Sequence, residues 1–77
     1  GENMSNNVEF FSKRLGISRK EIAEAIGKST RTVGEKINNN IPWTQMEIML
    51  VTNLLKTKDQ SLNVETIFFK ELYSKME

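Results

Sequence analysis

Signals that begin and end short helices recur along this 77-residue chain, and they constrain its fold more than any other feature. Ser18 stands three residues before Glu21, and Thr44 stands three residues before Glu47. This is the spacing of a capping box, in which each side chain bonds to the backbone N–H of the other residue. Further candidates for the residue that caps a helix N-terminus are Asn6, Ser29 and Asn63.

Helix ends are marked as clearly, by Gly16, Gly27, the run Asn38 to Asn40 and the polar stretch 56–61. Together the signals predict five short helices, over residues 7–15, 18–26, 29–38, 44–55 and 63–69, with residues 70–77 as a helical or frayed tail. No segment alternates polar and apolar residues over the length of a strand. The expected fold class is therefore all-α, with one compact five-helix domain over residues 4–77. Residues 1–3 precede Met4 and are expected to be a remnant of an expression vector.

Apolar residues at helical spacing are numerous enough for one core, since they make up 38% of the chain. Trp43 directly precedes the Thr44 cap, where it is either the outer half of a hydrophobic staple or a core aromatic. The predicted core consists of Val8, Phe11, Leu15, Ile17, Ile22, Ile26, Val33, Ile37, Ile41, Ile48, Val51 and Leu55.

The composition excludes several classes of function. The chain has no cysteine and no histidine, so it lacks thiolate metal ligands and the commonest general base. Its carboxylates form no pair in an apolar setting that would perturb their pKa values. We therefore expect no enzyme, no cofactor, no metal and no small-molecule substrate. No apolar run approaches a membrane span and no signal peptide is evident, so we expect no membrane contact and a cytoplasmic location.

Charge is distributed unevenly along the chain, although the net charge is only +1. Residues 11–40 hold seven cationic side chains and three carboxylates, a net charge of +4. Residues 41–77 hold four lysines and five carboxylates, a net charge of −1. A basic half indicates either a nucleic-acid footprint or a solvated surface on which charges happen to cluster.

The helix predicted over 29–38 is polar, is basic at its start and contains Gly34, which costs about 1 kcal/mol relative to alanine. With the helix over 18–26 and the Gly27–Lys28 turn it predicts a helix-turn-helix, whose second helix enters the DNA major groove. There Arg31 can donate two hydrogen bonds to guanine, Glu35 can accept from cytosine N4, and Thr30 can touch a base. Arg31 is otherwise an exposed side chain, or pairs with Glu35. Gly34 either allows close approach by DNA or a neighbouring helix, or is merely tolerated.

The segment "LGISRKEIAEAIGKSTRTVGEKINN" resembles the helix-turn-helix of the Cro and repressor family of temperate phages. The segments "NNNIPWTQMEIMLVTNLL" and "ETIFF" are similar to a small phage-type branch of that family. The likeness covers residues 7–69. It implies a five-helix, lambda-repressor-like domain that binds operator DNA, often as a two-fold dimer.

Position by position, the resemblance implies DNA base contacts at Thr30, Arg31 and Glu35. Arg19 stands where the family often has glutamine, so it is expected to clamp a phosphate. The segment "LLKTKDQSLNVE" is longer than the family's usual link to the last helix. The expected DNA backbone contacts are Ser18, Arg19, Lys28, Ser29, Lys36, Asn38, Asn39 and Asn40.

The C-terminal apolar residues Phe68, Tyr73 and Met76 either complete the core against the fourth helix or form a dimer contact. The sequence therefore predicts a DNA-binding transcriptional regulator of phage or prophage type, which represses by occluding an operator. Because no effector domain follows the helix-turn-helix, it looks more like a Cro-like protein than a two-domain repressor. The alternative is a protein-interaction module, such as an antitoxin, on the same scaffold.

Overall fold

A computed structural model of the chain describes residues 6–69 and confirms the all-α class, with no strand in that range. The predicted bounds agree with it to within two residues. The last helix, expected to be an α-helix, is a π-helical segment. The elements are α1 Val8–Leu15, α2 Arg19–Ile26, α3 Thr30–Ile37, α4 Gln45–Lys56 and the π-helical segment Glu65–Phe69.

Local capping explains why the helices begin and end where they do. The capping boxes at Ser18 and Thr44 are both formed, with each hydroxyl accepting from a glutamate N–H at 3.1 Å. At the start of α1 the residue in the cap position is Asn7, one residue later than predicted. The side chain of Asn6 still satisfies the first N–H of the helix, because its Oδ1 atom accepts from the Val8 N–H. Gly27 ends α2 with a φ of +74°, a conformation that glycine adopts without a steric cost.

The core forms around α2, which packs against both α3 and α4. Leu15 and Ile48 are only partly buried. Ile41 was predicted as core but is 38% exposed, because it lies in the loop between α3 and α4. The nine other predicted core residues are buried: Val8, Phe11, Ile17, Ile22, Ile26, Val33, Ile37, Val51 and Leu55.

The core also takes in residues from the far end of the described chain. Phe68 is 5% exposed and its ring packs edge-to-face on Trp43, with centroids 5.5 Å apart. Trp43 is therefore a core aromatic. Asn7 is fully buried, and it donates from its backbone N–H to the Ile67 carbonyl and from its side chain to the Thr66 carbonyl. These bonds fix the start of α1 to the π-helical segment.

Candidate nucleic-acid interface

The pair of helices α2 and α3 supports the candidate site. Three residues connect them, and α2 ends with the Lys28 N–H donating to the Ala23 carbonyl at 3.0 Å. Ala23 is buried, as expected for a small residue where α2 and α3 pack closely. The turn before α3 is thus hydrogen-bonded to the last turn of α2.

The first turn of α3 presents its side chains to solvent. Thr30 and Arg31 are exposed, and Lys28 in the preceding turn is exposed as well. Ser29 caps the helix: its hydroxyl accepts from the Thr32 N–H at 3.1 Å and donates to the Thr32 Oγ1 atom at 3.0 Å. The Ser29 hydroxyl is therefore occupied in the cap, whereas Thr30 and Arg31 point away from the protein.

Glu35 lies one turn further along α3 and is half-buried. It is hydrogen-bonded to Asn40 and not to Arg31, the partner considered from the sequence. Its Oε1 atom accepts from the Asn40 side-chain amide at 3.0 Å. Within residues 6–69 neither Glu35 nor any other carboxylate pairs with Arg31. The Arg31 guanidinium thus has no partner in the described part of the chain, and the alternative of an Arg31–Glu35 pair is wrong.

The run Asn38 to Asn40 closes α3 rather than offering its backbone to a ligand. The N–H groups of Asn38, Asn39 and Asn40 donate to the carbonyls of Gly34, Lys36 and Glu35, at 3.0, 3.1 and 2.8 Å. Asn39 adopts a left-handed φ of +66°. The C-terminal turn thus uses the backbone N–H groups of all three residues, so only their side chains remain as candidates for the expected DNA backbone contacts.

The three asparagine side chains differ in their availability. The Asn39 Oδ1 atom accepts from the Asn6 side-chain amide at 3.3 Å, and that amide also lies 3.3 Å from the Ile37 carbonyl. Asn40 bonds to Glu35. Only the Asn38 side chain is both exposed and without a partner in the described part of the chain.

Lys36 was expected to contact a phosphate, and the structure corrects this. The residue is 4% exposed, and its Nζ atom lies 2.8 Å from the Glu47 Oε1 atom and 2.9 Å from the Pro42 carbonyl. The Trp43 ring centroid is 5.9 Å away. The Lys36 cation is therefore satisfied within the protein, where it neutralises the buried Glu47 carboxylate, and it is not part of the exposed basic surface.

Glu47 has two opposing influences on its pKa. Burial raises the pKa, but the hydrogen bond from Lys36 and the one from the Thr44 N–H together outweigh burial. The pKa of Glu47 is therefore below its ordinary value of 4.5. The carboxylate is charged at neutral pH and joins the end of α3 to the start of α4.

Arg19 begins α2 and lies across the surface of α3. Its Nη2 atom is 2.9 Å from the Glu9 Oε1 atom, and its Nη1 atom is 3.0 Å from the position that a Cβ atom on Gly34 would occupy. Glu9 also pairs with Lys13 at 3.0 Å. The bonds from Lys13 and Arg19 lower the pKa of Glu9, so the carboxylate is charged at neutral pH. Among the described residues, a Cβ atom on Gly34 would come within 4 Å only of the end of this Arg19 side chain, so the close approach of a neighbouring helix considered for Gly34 is not observed.

These pairings reduce the basic footprint of residues 11–40. Lys13 and Arg19 share Glu9, Arg14 lies 6.0 Å from the Phe10 ring centroid, and Lys36 is buried. Three exposed cations of this segment have no partner within residues 6–69. They lie at the start of α2, in the connection between α2 and α3, and at the start of α3: Lys20, Lys28 and Arg31.

The remaining predicted site residues are placed as follows. The Ser18 hydroxyl accepts a bond in its capping box and keeps its own proton to donate. Phe68 was considered either as part of the core or as a dimer contact. It is buried and completes the core, so the dimer contact at Phe68 is not supported. Tyr73 and Met76 lie outside the described residues. Sequence reasoning missed the contacts of Glu9 with Arg19 and of Asn6 with Ile37 and Asn39, because these partners are distant in the chain and carry no local signal.

Within residues 6–69 no cluster of three or more carboxylates could hold a metal ion. None of the helices described in this range has the length and apolar character needed to cross a membrane. Comparison of the chain with protein-family models, with curated proteins and with solved structures finds no match.

Proposed function

We propose that this chain is a sequence-specific, double-stranded-DNA-binding transcriptional regulator, in which α2 and α3 act as a lambda-repressor-like helix-turn-helix. The observation that carries the proposal is the start of α3, where Arg31 and Lys28 are exposed and have no partner among residues 6–69, next to a turn that is hydrogen-bonded to α2. Exposed, long cationic side chains at the N-terminus of a recognition helix are suited to contacts with base edges and phosphates.

Arg31 is the principal base-reading residue of the proposal. Its guanidinium matches the O6 and N7 acceptors of guanine, and no carboxylate in the described chain competes for it. Thr30 beside it suits a base edge or a thymine methyl group. Glu35 can accept from cytosine N4 through the oxygen that does not bind Asn40, so its reach is narrower than that of Arg31.

Phosphate contacts would fix the register of α3 on the duplex. Lys28 is free for such a contact, the Ser18 hydroxyl can donate, and the Asn38 amide is exposed. Arg19 can serve as a clamp if phosphate replaces Glu9. We propose a two-fold arrangement on DNA, with half-sites about one helical turn apart and repression by occlusion, in keeping with the resemblance to phage regulators.

The experiment is selection from random DNA duplexes at two salt concentrations, with wild type and with Arg31→Ala. We expect enrichment of a two-fold site, and a loss of about 1–3 kcal/mol in affinity for that site with Arg31→Ala. Lys58→Ala is the matched control, because it removes one exposed cation from the loop after α4. Weak binding without enrichment, equally reduced by Arg31→Ala and Lys58→Ala, would contradict the proposal.

A protein-interaction module of antitoxin type is the second candidate. Two methionines three residues apart on α4, Met46 and Met49, are 62% and 51% exposed, and a contiguous exposed apolar patch can mark a protein contact. DNA binding that depends little on salt, together with tight binding of a protein partner, would favour this function over operator recognition.

A further inference from the structure

Gly34 is the only glycine within the four α-helices described, and the space beside it is occupied by Arg19. The Arg19 Nη1 atom lies 3.0 Å from the point where a Cβ atom on Gly34 would stand, and the Arg19 Cζ atom lies 3.9 Å from it. Gly34 itself is buried. The Arg19 guanidinium therefore takes the place of the side chain that α3 lacks at this position.

The position of Gly34 lies at the edge of the exposed face of α3. Residues three or four positions apart are neighbours on the surface of a helix. Thr30 and Arg31 precede Gly34 by this distance, Asn38 follows it, and all three are exposed. The guanidinium that covers this position is therefore part of the surface that carries the proposed base-reading side chains.

The distance between the Arg19 guanidinium and α3 decides whether it would lie within the major groove or outside it. A helix with its side chains is about 10–12 Å across, and the major groove is about 12 Å wide, so it admits one helix. An atom 3.0 Å from a Cβ position lies at about the radius that side chains of the helix reach themselves. When α3 enters the groove, the Arg19 Nη1 atom therefore enters with it.

We infer that Arg19 is a second base-reading residue, which contacts a guanine through the space that Gly34 leaves open. The inference rests on the proposed function, since it requires α3 to enter the major groove. Guanine is the base that presents two acceptors there, O6 and N7, to a guanidinium. Gly34 and Arg31 are three residues apart, or about 4.5 Å along the helix axis, so the second guanine is expected beside the base pair that Arg31 reads.

The two amino groups of Arg19 have separate tasks in this arrangement. The Nη2 atom donates to the Glu9 Oε1 atom at 2.9 Å, and on DNA it contacts either Glu9 or the phosphate that replaces it. The Nη1 atom has no hydrogen bond or ion pair within residues 6–69. Because the contact with Glu9 already holds the guanidinium over α3, less side-chain freedom is lost when the Nη1 atom binds a base. Gly34 is thus a positioning residue for Arg19.

Gly34→Ala tests the inference without removing a polar group. Its Cβ atom needs space that the Nη1 atom occupies, so the Arg19 side chain must move outward. Affinity is measured for the site selected by wild type and for each single base-pair variant of that site. Replacement of the second guanine should weaken binding of wild type roughly 5- to 100-fold. In Gly34→Ala this discrimination should be largely lost, while discrimination at the guanine read by Arg31 stays at its wild-type value. Thermal denaturation checks that the variant is folded.

Arg19→Ala identifies the second guanine and provides the control background. It should remove discrimination at the same base pair as Gly34→Ala. Beyond α3 itself, the added Cβ atom has no contact within 4 Å other than Arg19, so Gly34→Ala should have no further effect in the Arg19→Ala background. An equal loss of affinity from Gly34→Ala with and without Arg19 would mean that the Cβ atom collides with DNA directly, and it would overturn the inference.

The remaining outcomes separate this inference from the proposed function. A wild type that selects no DNA sequence overturns both. If wild type selects a site and Arg19→Ala weakens binding equally for every base-pair variant, Arg19 is a phosphate contact only, and the inference alone is overturned. Unchanged discrimination at the second guanine in Gly34→Ala overturns the inference alone as well.

Discussion

The two ends of α3 use the same kinds of residue for opposite purposes. At the start, Lys28 and Arg31 are exposed and have no partner within residues 6–69. At the end, Lys36 is enclosed by Glu47, Pro42 and Trp43. The difference teaches that a basic residue contributes to binding only where the fold leaves its charge unsatisfied. For this reason the net charge of residues 11–40 overstates the basic surface that is open to a ligand.

Removal of the buried ion pair between Lys36 and Glu47 should have the largest effect on the free energy of unfolding. Lys36→Met leaves the Glu47 carboxylate buried without a cation, and we expect a loss of about 3–5 kcal/mol in the free energy of unfolding. Urea denaturation measures the loss. Lys58→Met, at an exposed site, should change stability by no more than about 0.5 kcal/mol.

A second variant isolates the charge from the packing. Lys36→Met combined with Glu47→Gln removes both charges and keeps an acceptor for the Thr44 N–H. We expect the double variant to be more stable than Lys36→Met alone. If the double variant is the less stable of the two, the unpaired carboxylate is not the cause of the loss.

Acid should reduce the stability that the ion pair of Glu47 with Lys36 contributes at the end of α3. The pKa of Glu47 lies below its ordinary 4.5 in the folded protein, so the unfolded chain takes up the proton first as the pH falls. The contribution of Glu47 is therefore complete above about pH 4.5 and is lost as the pH falls through its lower folded pKa. Glu9 and Asp59 also have lowered pKa values and act in the same direction.

Stability measured by urea denaturation between pH 3 and 7 checks this dependence. Glu47→Gln should flatten the acid limb relative to wild type. In Lys36→Met the hydrogen bond and charge of Lys36 no longer lower the pKa of Glu47, while burial still raises it. Protonation then relieves the buried charge, so the gap to wild type should narrow as the pH falls. A gap that widens at low pH would contradict the role assigned to the ion pair.

Local signals predicted the helices well, because capping boxes and left-handed glycines act within a few residues of the helix they limit. The environment of Lys36 could not be predicted in the same way. Its partner Glu47 is eleven residues further on, and the intervening loop depends on the left-handed Asn39. The contact of Glu9 with Arg19 links α1 to α2 and has no local pattern either. Exposure of Thr30 and Arg31 was predictable, because Val33 and Ile37 define the buried face.

The middle of α3 offers a smaller test, at Gly34. Alanine there gains about 0.5–1 kcal/mol of helix stability, and its Cβ atom would lie 3.0 Å from the Arg19 Nη1 atom. The Arg19 side chain is 47% exposed, so its end can move outward at little cost. We therefore expect Gly34→Ala to be stabilising in thermal or urea denaturation. A loss of stability that disappears in the Arg19→Ala background would instead show that the guanidinium is held in place.

The smallest effect on stability is expected at Glu9. Its ion pairs are exposed, in contrast to the buried ion pair of Lys36. Glu9→Gln should cost only about 0.2–1 kcal/mol, because solvent screens such pairs. It also frees Lys13 and Arg19 for phosphates, so the slope of log affinity against log salt should steepen by up to about 1.8 if both bind DNA. Glu24→Gln removes the same charge from an exposed position on α2 without freeing a cation. An equal change of slope in both variants would mean that Arg19 stays with the protein, and that the DNA-binding surface is confined to the start of α3.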